Sequence, residues 1–270
     1  MPLHPRFGDP DILTGMDDIE VAIAAAEAGA AVVRDLYGTA VGRHDKSPTD
    51  FATDADLAAE KVIGEVIRAA RPDDAVVGEE FGATGQSDRT WLVDPLCGTL
   101  NFAAQTPLFS VNIALRSGAE TLVAAVADPL AGDIFWTAGT TSALRRSGVD
   151  AKLVPSATSR LVDIDADAPR DAELLPADLI DADFREVFAP RISSTTLTLA
   201  WTAAGRRAAY VSNGVLRDSV HFTPGIALCQ AAGCIVTDLR GAPLHTGPGL
   251  VAAADAETHQ QLLAFIARRL

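Results

Sequence analysis

The sequence has no apolar run approaching the about 18 unbroken residues that a membrane-spanning helix needs. Its start, Met1 to Asp11, carries Pro, His and Asp and lacks the apolar centre of a secretion signal. A soluble, cytoplasmic protein is the expectation. Cysteine is scarce: Cys97, Cys229 and Cys234 are the only three. An odd count without a secretion signal argues against a disulfide framework. They show no C-x-x-C spacing, so a structural zinc knot is not expected. Positive charge is short as well. The 22 Lys and Arg face 36 Asp and Glu, a net charge of −14. That balance disfavours nucleic acid or an anionic membrane as partner, because attraction to phosphates dominates such binding. A small anionic substrate stays possible, since a site can be locally positive or hold a metal ion. Aromatics are few, yet 48% of the 270 residues are apolar. That is ample core for one large domain or two closely packed halves.

What is present reads as alternating blocks. Asp18 to Leu36 is an Ala-rich amphipathic helix ending at Gly38. Thr53 to Ala70 is a second helix, with capping oxygens on Thr53 and Asp54 and a stop at Arg71-Pro72. Ala75–Val77 and Thr90–Val93 are short strands running into Gly78-Glu79-Glu80 and Asp94-Pro95. Ser110–Leu115, Thr121–Asp128 and Asp133–Thr137, separated by Ser-Gly and Pro-x-x-Gly turns, form an antiparallel meander. Residues 147–190 carry only weak signals. Thr195–Ala204 reads as a helix, Ala208–Val211 as a strand and Pro224–Ala232 as an apolar helix closed by Gly233. Strands Ile235–Asp238 and Val251–Ala254 and a helix Ala256–Arg269 complete the chain. Blocks of this kind indicate mixed α/β layers rather than a regular βαβ wind. No repeat or linker is visible. The natural division is an N-terminal half, 1–146, with a C-terminal half, 147–270, packed on it as one continuous unit.

Four segments carry chemistry: Asp50-Phe-Ala-Thr-Asp-Ala-Asp56, Gly78-Glu79-Glu80, the tract Trp91 to Phe102, and His221-Phe-Thr-Pro-Gly225 leading to Gly233. Three of them place acids at a strand end or helix start. Carboxylates gathered there repel one another unless a cation lies between them, and hard oxygen ligands suit Mg²⁺. Gly98-Thr99 offers backbone N–H groups at an expected helix start, a natural anion site.

Together these segments resemble the lithium-sensitive, Mg²⁺-dependent phosphatase superfamily of inositol monophosphatase, fructose-1,6-bisphosphatase and 3′-phosphoadenosine phosphatase. The tract Trp91-Leu-Val-Asp94-Pro-Leu-Cys97-Gly-Thr99-Leu-Asn101-Phe102 is the most specific part. The resemblance implies alternating α-β-α-β-α layers with largely antiparallel sheets, and a homodimer. It implies that Glu79 and the Leu96 carbonyl face a first metal and that Asp94 bridges two. It implies that Asp56 and Thr99 orient an attacking water. The Gly98 and Thr99 amides would cradle phosphate, and Lys46 and Asp50 would belong to the approach loop.

Two positions depart from the pattern, and both belong to the second metal. Cys97 stands where the second Asp is expected, and His221 where the later Asp is expected. Asn213-Gly214 replaces a sugar-binding Glu, which makes inositol phosphate a poor substrate expectation. Mg²⁺ prefers oxygen, so ordinary two-Mg²⁺ turnover should be weak. Three readings follow. Cys97 and His221 form a nucleophile–base pair for acyl or related group transfer, with Asp94 orienting His221 and a helix N-terminus favouring the thiolate. Alternatively, Asp94, Cys97 and His221, with Glu79 near, hold Zn²⁺ or another transition metal. In the third reading the chain binds a small anion or a partner protein without catalysis. The cofactor is accordingly none, one Mg²⁺ at Glu79 and Asp94, or a transition metal.

Other residues take plain readings. Cys229 and Cys234 are packing residues, and Trp91 and Trp201 belong to the core. His4, His44, His245 and His259 lie exposed, with His44 close enough to Lys46 to approach substrate. Glu80 is either a support for the site or a surface acid.

Overall fold

A computed structural model describes residues 14–48, 50–167, 172 and 174–270. His4 lies outside the described residues. The chain forms five layers. Helices α1 (Asp18–Leu36) and α2 (Asp54–Ala70) pack together against one face of an eight-stranded sheet. That sheet contains β3 (Ala75–Gly78), β4 (Gly82–Thr84), β5 (Arg89–Cys97), β6 (Ser110–Ser117), β7 (Glu120–Asp128), β8 (Asp133–Ala138), β9 (Thr141–Arg146) and β10 (Val149–Lys152). Its order is β10-β9-β8-β7-β6-β5-β3-β4. Every neighbouring pair is antiparallel except β3 with β5. A separate hairpin, β1 (Arg43–Ser47) with β2 (Asp50–Thr53), leads into α2.

The second half builds a five-stranded sheet in the order β12-β11-β13-β15-β14. Its strands are β11 (Leu161–Ile164), β12 (Ala189–Ile192), β13 (Ala209–Ser212), β14 (Ile235–Thr237) and β15 (Leu250–Ala253). Between the sheets lie α5 (Leu197–Ala203) and α6 (Phe222–Ala232). Two further short helices are α3 (Thr99–Ala103) and α4 (Ala182–Val187), and α7 (Ala256–Ile266) covers the outer face of the second sheet. Among the described residues three large apolar cores fill the gaps, with a small fourth of Leu92, Ala114 and Ala124 on the first sheet. The expected layers and meander are present. The structure adds β1, β2, β4, β9, β10, β11 and β12, strands that the sequence reading did not place, the last three in or at the end of the weakly patterned stretch 147–190. The first sheet also runs on past residue 146, because β10 pairs with β9.

Local chemistry explains the helix that matters most for the site. Thr53 caps α2 by accepting from Ala55 N–H. Asp56 reaches back to accept from the Thr53 amide at 2.7 Å, closing a capping box. Its apolar stripe, Ala59, Ile63, Val66 and Ile67, is wholly buried against α1 and the sheet.

Two plain readings of single residues need correction. His259 is 7% exposed and its Nε2 lies 2.8 Å from Thr237 Oγ1, because its face of α7 is the packed one. Trp201 is only half-buried, stacked under the Arg207 guanidinium at 4.6 Å, and its indole N–H has no partner among the described residues. His44 is exposed as expected, and its ring lies 2.7 Å from Asp54 and does not line the cleft described below. Trp91, Cys229 and Cys234 are buried as expected, and no helix among the described residues is long and apolar enough to cross a membrane.

Candidate functional site

Because β3 and β5 run parallel, their C-terminal ends open on the same edge of the sheet. Glu79 follows β3, and its N–H donates to the Val93 carbonyl at 3.1 Å. Asp94, Leu96 and Cys97 lie at the end of β5. Pro95 cannot donate to the ladder, and the register with β6 slips between Asp94 and Cys97. Gly98 then turns with φ +104, where a Cβ would lie 2.9 Å from the Leu108 carbonyl, so only glycine fits. Thr99 opens α3.

The second half supplies the opposite wall. His221 immediately precedes α6, and its Nδ1 lies 2.8 Å from Asp94 Oδ2 and 3.9 Å from Glu79 Oε2. Thr196, at the start of α5, touches the sulfur twice. Its Oγ1 lies 3.0 Å from Cys97 Sγ, and its N–H donates to the same sulfur at 3.3 Å. Asn112 on β6 ties the halves, its Nδ2 lying 3.2 Å from Asp94 Oδ2, 2.8 Å from Thr196 Oγ1 and 3.3 Å from the His221 carbonyl. The outcome is a cluster in which the donor atoms of Asp94, Cys97 and His221 all lie within 4.8 Å of one another. A cleft of about 750 Å³ opens on Glu79, Cys97, Gly98, Thr99 and His221, with Asp50 at its side.

The supporting residues are equally specific. The Thr99 hydroxyl lies 3.0 Å from Asp56 Oδ1 and 3.1 Å from the Leu96 carbonyl. Lys46 pairs with Glu80 at 2.6 Å and Glu79 at 3.2 Å, so it steadies the acids. Glu80 is the supporting acid of the two readings, since its side chain is 3% exposed. Glu60 accepts from the Glu80 and Phe81 amides at 2.7 and 2.9 Å and so holds the turn that carries Glu79.

Ionisation corrects one expectation. Cys97 ends a strand, one residue before the cap of a five-residue helix. Burial, and then the charge of Asp94, push its thiol pKa up, against smaller opposing effects of His221 and the Thr196 amide. The thiol form is therefore favoured over the expected thiolate. Burial also raises Glu79 to about 8, with Asp94 adding to it and His221 and Lys46 opposing. Burial lifts Asp56 to about 6 against the hydrogen bonds from Thr53 and Thr99. For His221, burial works downward but is outweighed by Asp94 and Cys97, which push it up to about 12. The acids strain against one another and the imidazole holds its proton, the pattern that a cation shared among them would relieve.

The donor set decides which cation fits. Glu79 and Asp94 offer only oxygen, the donor type that Mg²⁺ prefers, and the Leu96 carbonyl accepts from the Thr99 hydroxyl. Asp94, Cys97 and His221 offer one oxygen, one sulfur and one nitrogen, which suits Zn²⁺ or a similar ion and not Mg²⁺. Thr195, whose hydroxyl donates to the Cys97 carbonyl at 3.1 Å, Thr196, Asn112, and the cleft-lining pair Asp165 and Tyr210 carry no motif that marks them in the sequence. The hydroxyl run Ser193-Ser194-Thr195-Thr196 was the one visible sign of the first two.

The inositol monophosphatase family profile matches residues 16–270. The chain is 31% identical over 252 residues to an inositol-1-monophosphatase of Caulobacter vibrioides, covering 89% of this chain and 96% of that one. It is 31% identical over 264 residues to the Nus factor SuhB of Escherichia coli K12, covering 91% and 94%. Among solved structures it superposes on the inositol monophosphatase of Anabaena (Nostoc) sp. PCC 7120 with TM-score 0.76 and 26% identity, covering 93% of this chain and 96% of that one. It matches the fold of the Bartonella henselae suhB protein with TM-score 0.81 at 24% identity, covering 93% and 98%.

Proposed function

Because the chain belongs to the inositol monophosphatase family, we propose that it is a metal-dependent hydrolase of small phosphate esters whose second metal position is remade for a transition metal by Asp94, Cys97 and His221. The observation that carries this reading is the meeting of those three donor atoms within 4.8 Å beside Glu79. An ion bound there supplies Lewis acidity toward a phosphoryl oxygen. The protein's own groups supply the rest. Asp94 holds the imidazole of His221 in place through Nδ1. The Thr99 hydroxyl, donating to Asp56 Oδ1, leaves its oxygen lone pairs free to orient a water, and Asp56 is poised near pH 6 to take its proton. Gly98 and Thr99 border the same cleft and serve as the anion cradle.

One observation favours a second reading. The Asp94–His221 bond beside a sulfur that accepts the Thr196 amide has the layout of a nucleophile–base site. The raised thiol pKa and the raised imidazole pKa both oppose it in the resting protein. Several relatives carry the name Nus factor. For this chain the net charge of −14 and the cleft favour a small-molecule role over contact with nucleic acid. A homodimer is part of the same proposal.

The test is elemental analysis of protein purified without chelator, with turnover of a phosphomonoester panel under Mg²⁺, Mn²⁺, Co²⁺ and Zn²⁺. Stoichiometric transition metal and turnover that follows it are expected. Turnover of about 1 per second or more with Mg²⁺ alone, in protein free of other metal, overturns the assignment.

A further inference from the structure

The hydroxyl of Thr196 faces away from the helix it begins. Thr196 is the cap residue of α5, where a threonine hydroxyl ordinarily accepts from an amide of the first turn, yet its side chain makes no such bond. Thr195 takes the Leu197 amide instead, at 3.3 Å. The Thr196 hydroxyl turns to Cys97 Sγ at 3.0 Å, and the Thr196 N–H donates to the same sulfur at 3.3 Å. Asn112 sets the direction. Its Nδ2 lies near the His221 carbonyl, which can only accept, so the amide orientation is fixed and Nδ2 donates to Thr196 Oγ1 at 2.8 Å. The hydroxyl hydrogen is left for the sulfur. A thiolate accepts and cannot donate, so in that form the sulfur receives both the hydroxyl and the amide hydrogen of one residue. The loop that brings Thr196 here is clamped. Asn101 Nδ2 donates to the Ser193 carbonyl at 2.8 Å, the Ser193 hydroxyl donates to Asp163, and Thr195 Oγ1 donates to the Cys97 carbonyl at 3.1 Å. Thr196 and Cys97 are both buried, so water competes poorly for the sulfur.

Resting on the metal reading above, we propose that Thr196 is a positioning residue for Cys97: its hydroxyl and its amide hold the sulfur as a thiolate beside Asp94 and His221, and so make the second metal position selective for a thiophilic ion. Thr196 acts through the sulfur and is not itself a ligand. Hydrogen bonds to an ionised acceptor are the strong ones, and two of them draw off part of the charge that Asp94 repels. Partners of a metal ligand fix its orientation and tune its basicity. Asn112 sets the hydroxyl before any ion arrives, which lowers the ordering cost of binding. A capping role does not account for the residue, because Thr195 already supplies the bond to the first turn of α5.

The experiment titrates Co²⁺ into chelator-stripped protein and reads the sulfur-to-cobalt charge-transfer absorption in the near ultraviolet, with Zn²⁺ affinity taken from competition. Neither readout needs turnover. The wild type should show the band, and Cys97→Ser should lose it. Thr196→Val keeps the shape of the side chain and the amide but removes the hydroxyl. Its band should move to longer wavelength, because a sulfur with one donor fewer gives up charge more readily. Its affinity for Co²⁺ and Zn²⁺ should fall about ten-fold or more. Thr196→Ser keeps the hydroxyl and should restore both. Metal-free Thr196→Val should melt within about 4 °C of the wild type, the cost of one ordinary hydrogen bond, and Thr196→Ala gives the same two readouts should valine not be accommodated. An unshifted band with unchanged affinity in these variants overturns the proposal and leaves the hydrolase reading standing. A band absent from the wild type, or retained in Cys97→Ser, also overturns it, since the sulfur is then no ligand. A band that depends on Thr196 in protein that releases no phosphate from any ester supports the proposal and sinks the hydrolase reading.

Discussion

Substituting Gly78 by Ala is the sharpest probe of how the site is held. Gly78 ends β3, one residue before Glu79, and its backbone is not in the left-handed region, so Ala brings no dihedral strain. The effect is steric. An added Cβ would lie 1.8 Å from Glu60 Oε1 and 2.4 Å from its Cδ, so the carboxyl must leave. In leaving it gives up the Glu80 and Phe81 amides, which it holds at 2.7 and 2.9 Å. Glu60 is 5% exposed, so water replaces those bonds poorly. Each hydrogen bond to a charged group is worth about 1.5–3 kcal/mol. Allowing for partial relaxation, the cost is about 3 kcal/mol, a fall in Tm of roughly 6–12 °C for a chain near this size. The Glu79 turn loosens with it, so metal affinity falls as well. The assay is urea denaturation of the wild type, Gly78→Ala, Glu60→Ala and the double variant. Once Glu60 is gone the extra methyl has room, so the double variant should be about as stable as Glu60→Ala. The two changes are then coupled by about 2–3 kcal/mol. Costs that add within about 0.5 kcal/mol, or a Gly78→Ala protein as stable as the wild type, refute the reasoning.

Other changes give clear outcomes. Cys97→Asp with His221→Asp restores an all-oxygen set beside Asp94, and metal dependence should move toward Mg²⁺, read as turnover in Mg²⁺ against Zn²⁺. No change in metal preference counts against the donor assignment. Trp91→Phe keeps the ring in the core but removes the indole N–H that donates to Asp74 Oδ2 at 2.9 Å, and should cost about 1–2 kcal/mol by denaturation. Burial lowers the pKa of His259 in the folded chain. Its contribution is complete above the unfolded value of about 6.5 and is lost as pH falls from there through the folded pKa, because only the unfolded state takes up the proton. His259→Gln should flatten the fall of stability between about pH 7 and 5, and an unchanged slope rules the residue out.

Much was legible in the chain itself. The helical spacing of Ile63, Val66 and Ile67, the Thr53–Asp56 box and the alternating strands of 110–137 are short-range patterns, and the layers follow from them. The tract Trp91 to Phe102 carries the family resemblance, and Cys97 within it and His221 beyond it are the two residues that depart from the family pattern. Those facts depend on residue type and near neighbours, which a sequence states outright. The structure alone decided what depends on distant neighbours. Thr196 reaches Cys97 from 99 positions away, and Asn112 joins Asp94, Thr196 and His221 across two layers, with nothing local to announce either. Strands β10 to β12 form because partners are at hand, not because 147–192 has strong strand character. His259 is buried by the sheet it meets, and the ionisation of Cys97 is set by its enclosure and by the charge of Asp94. Desolvation and Coulomb energy are properties of assembled space, so no reading of one residue and its flanks can supply them.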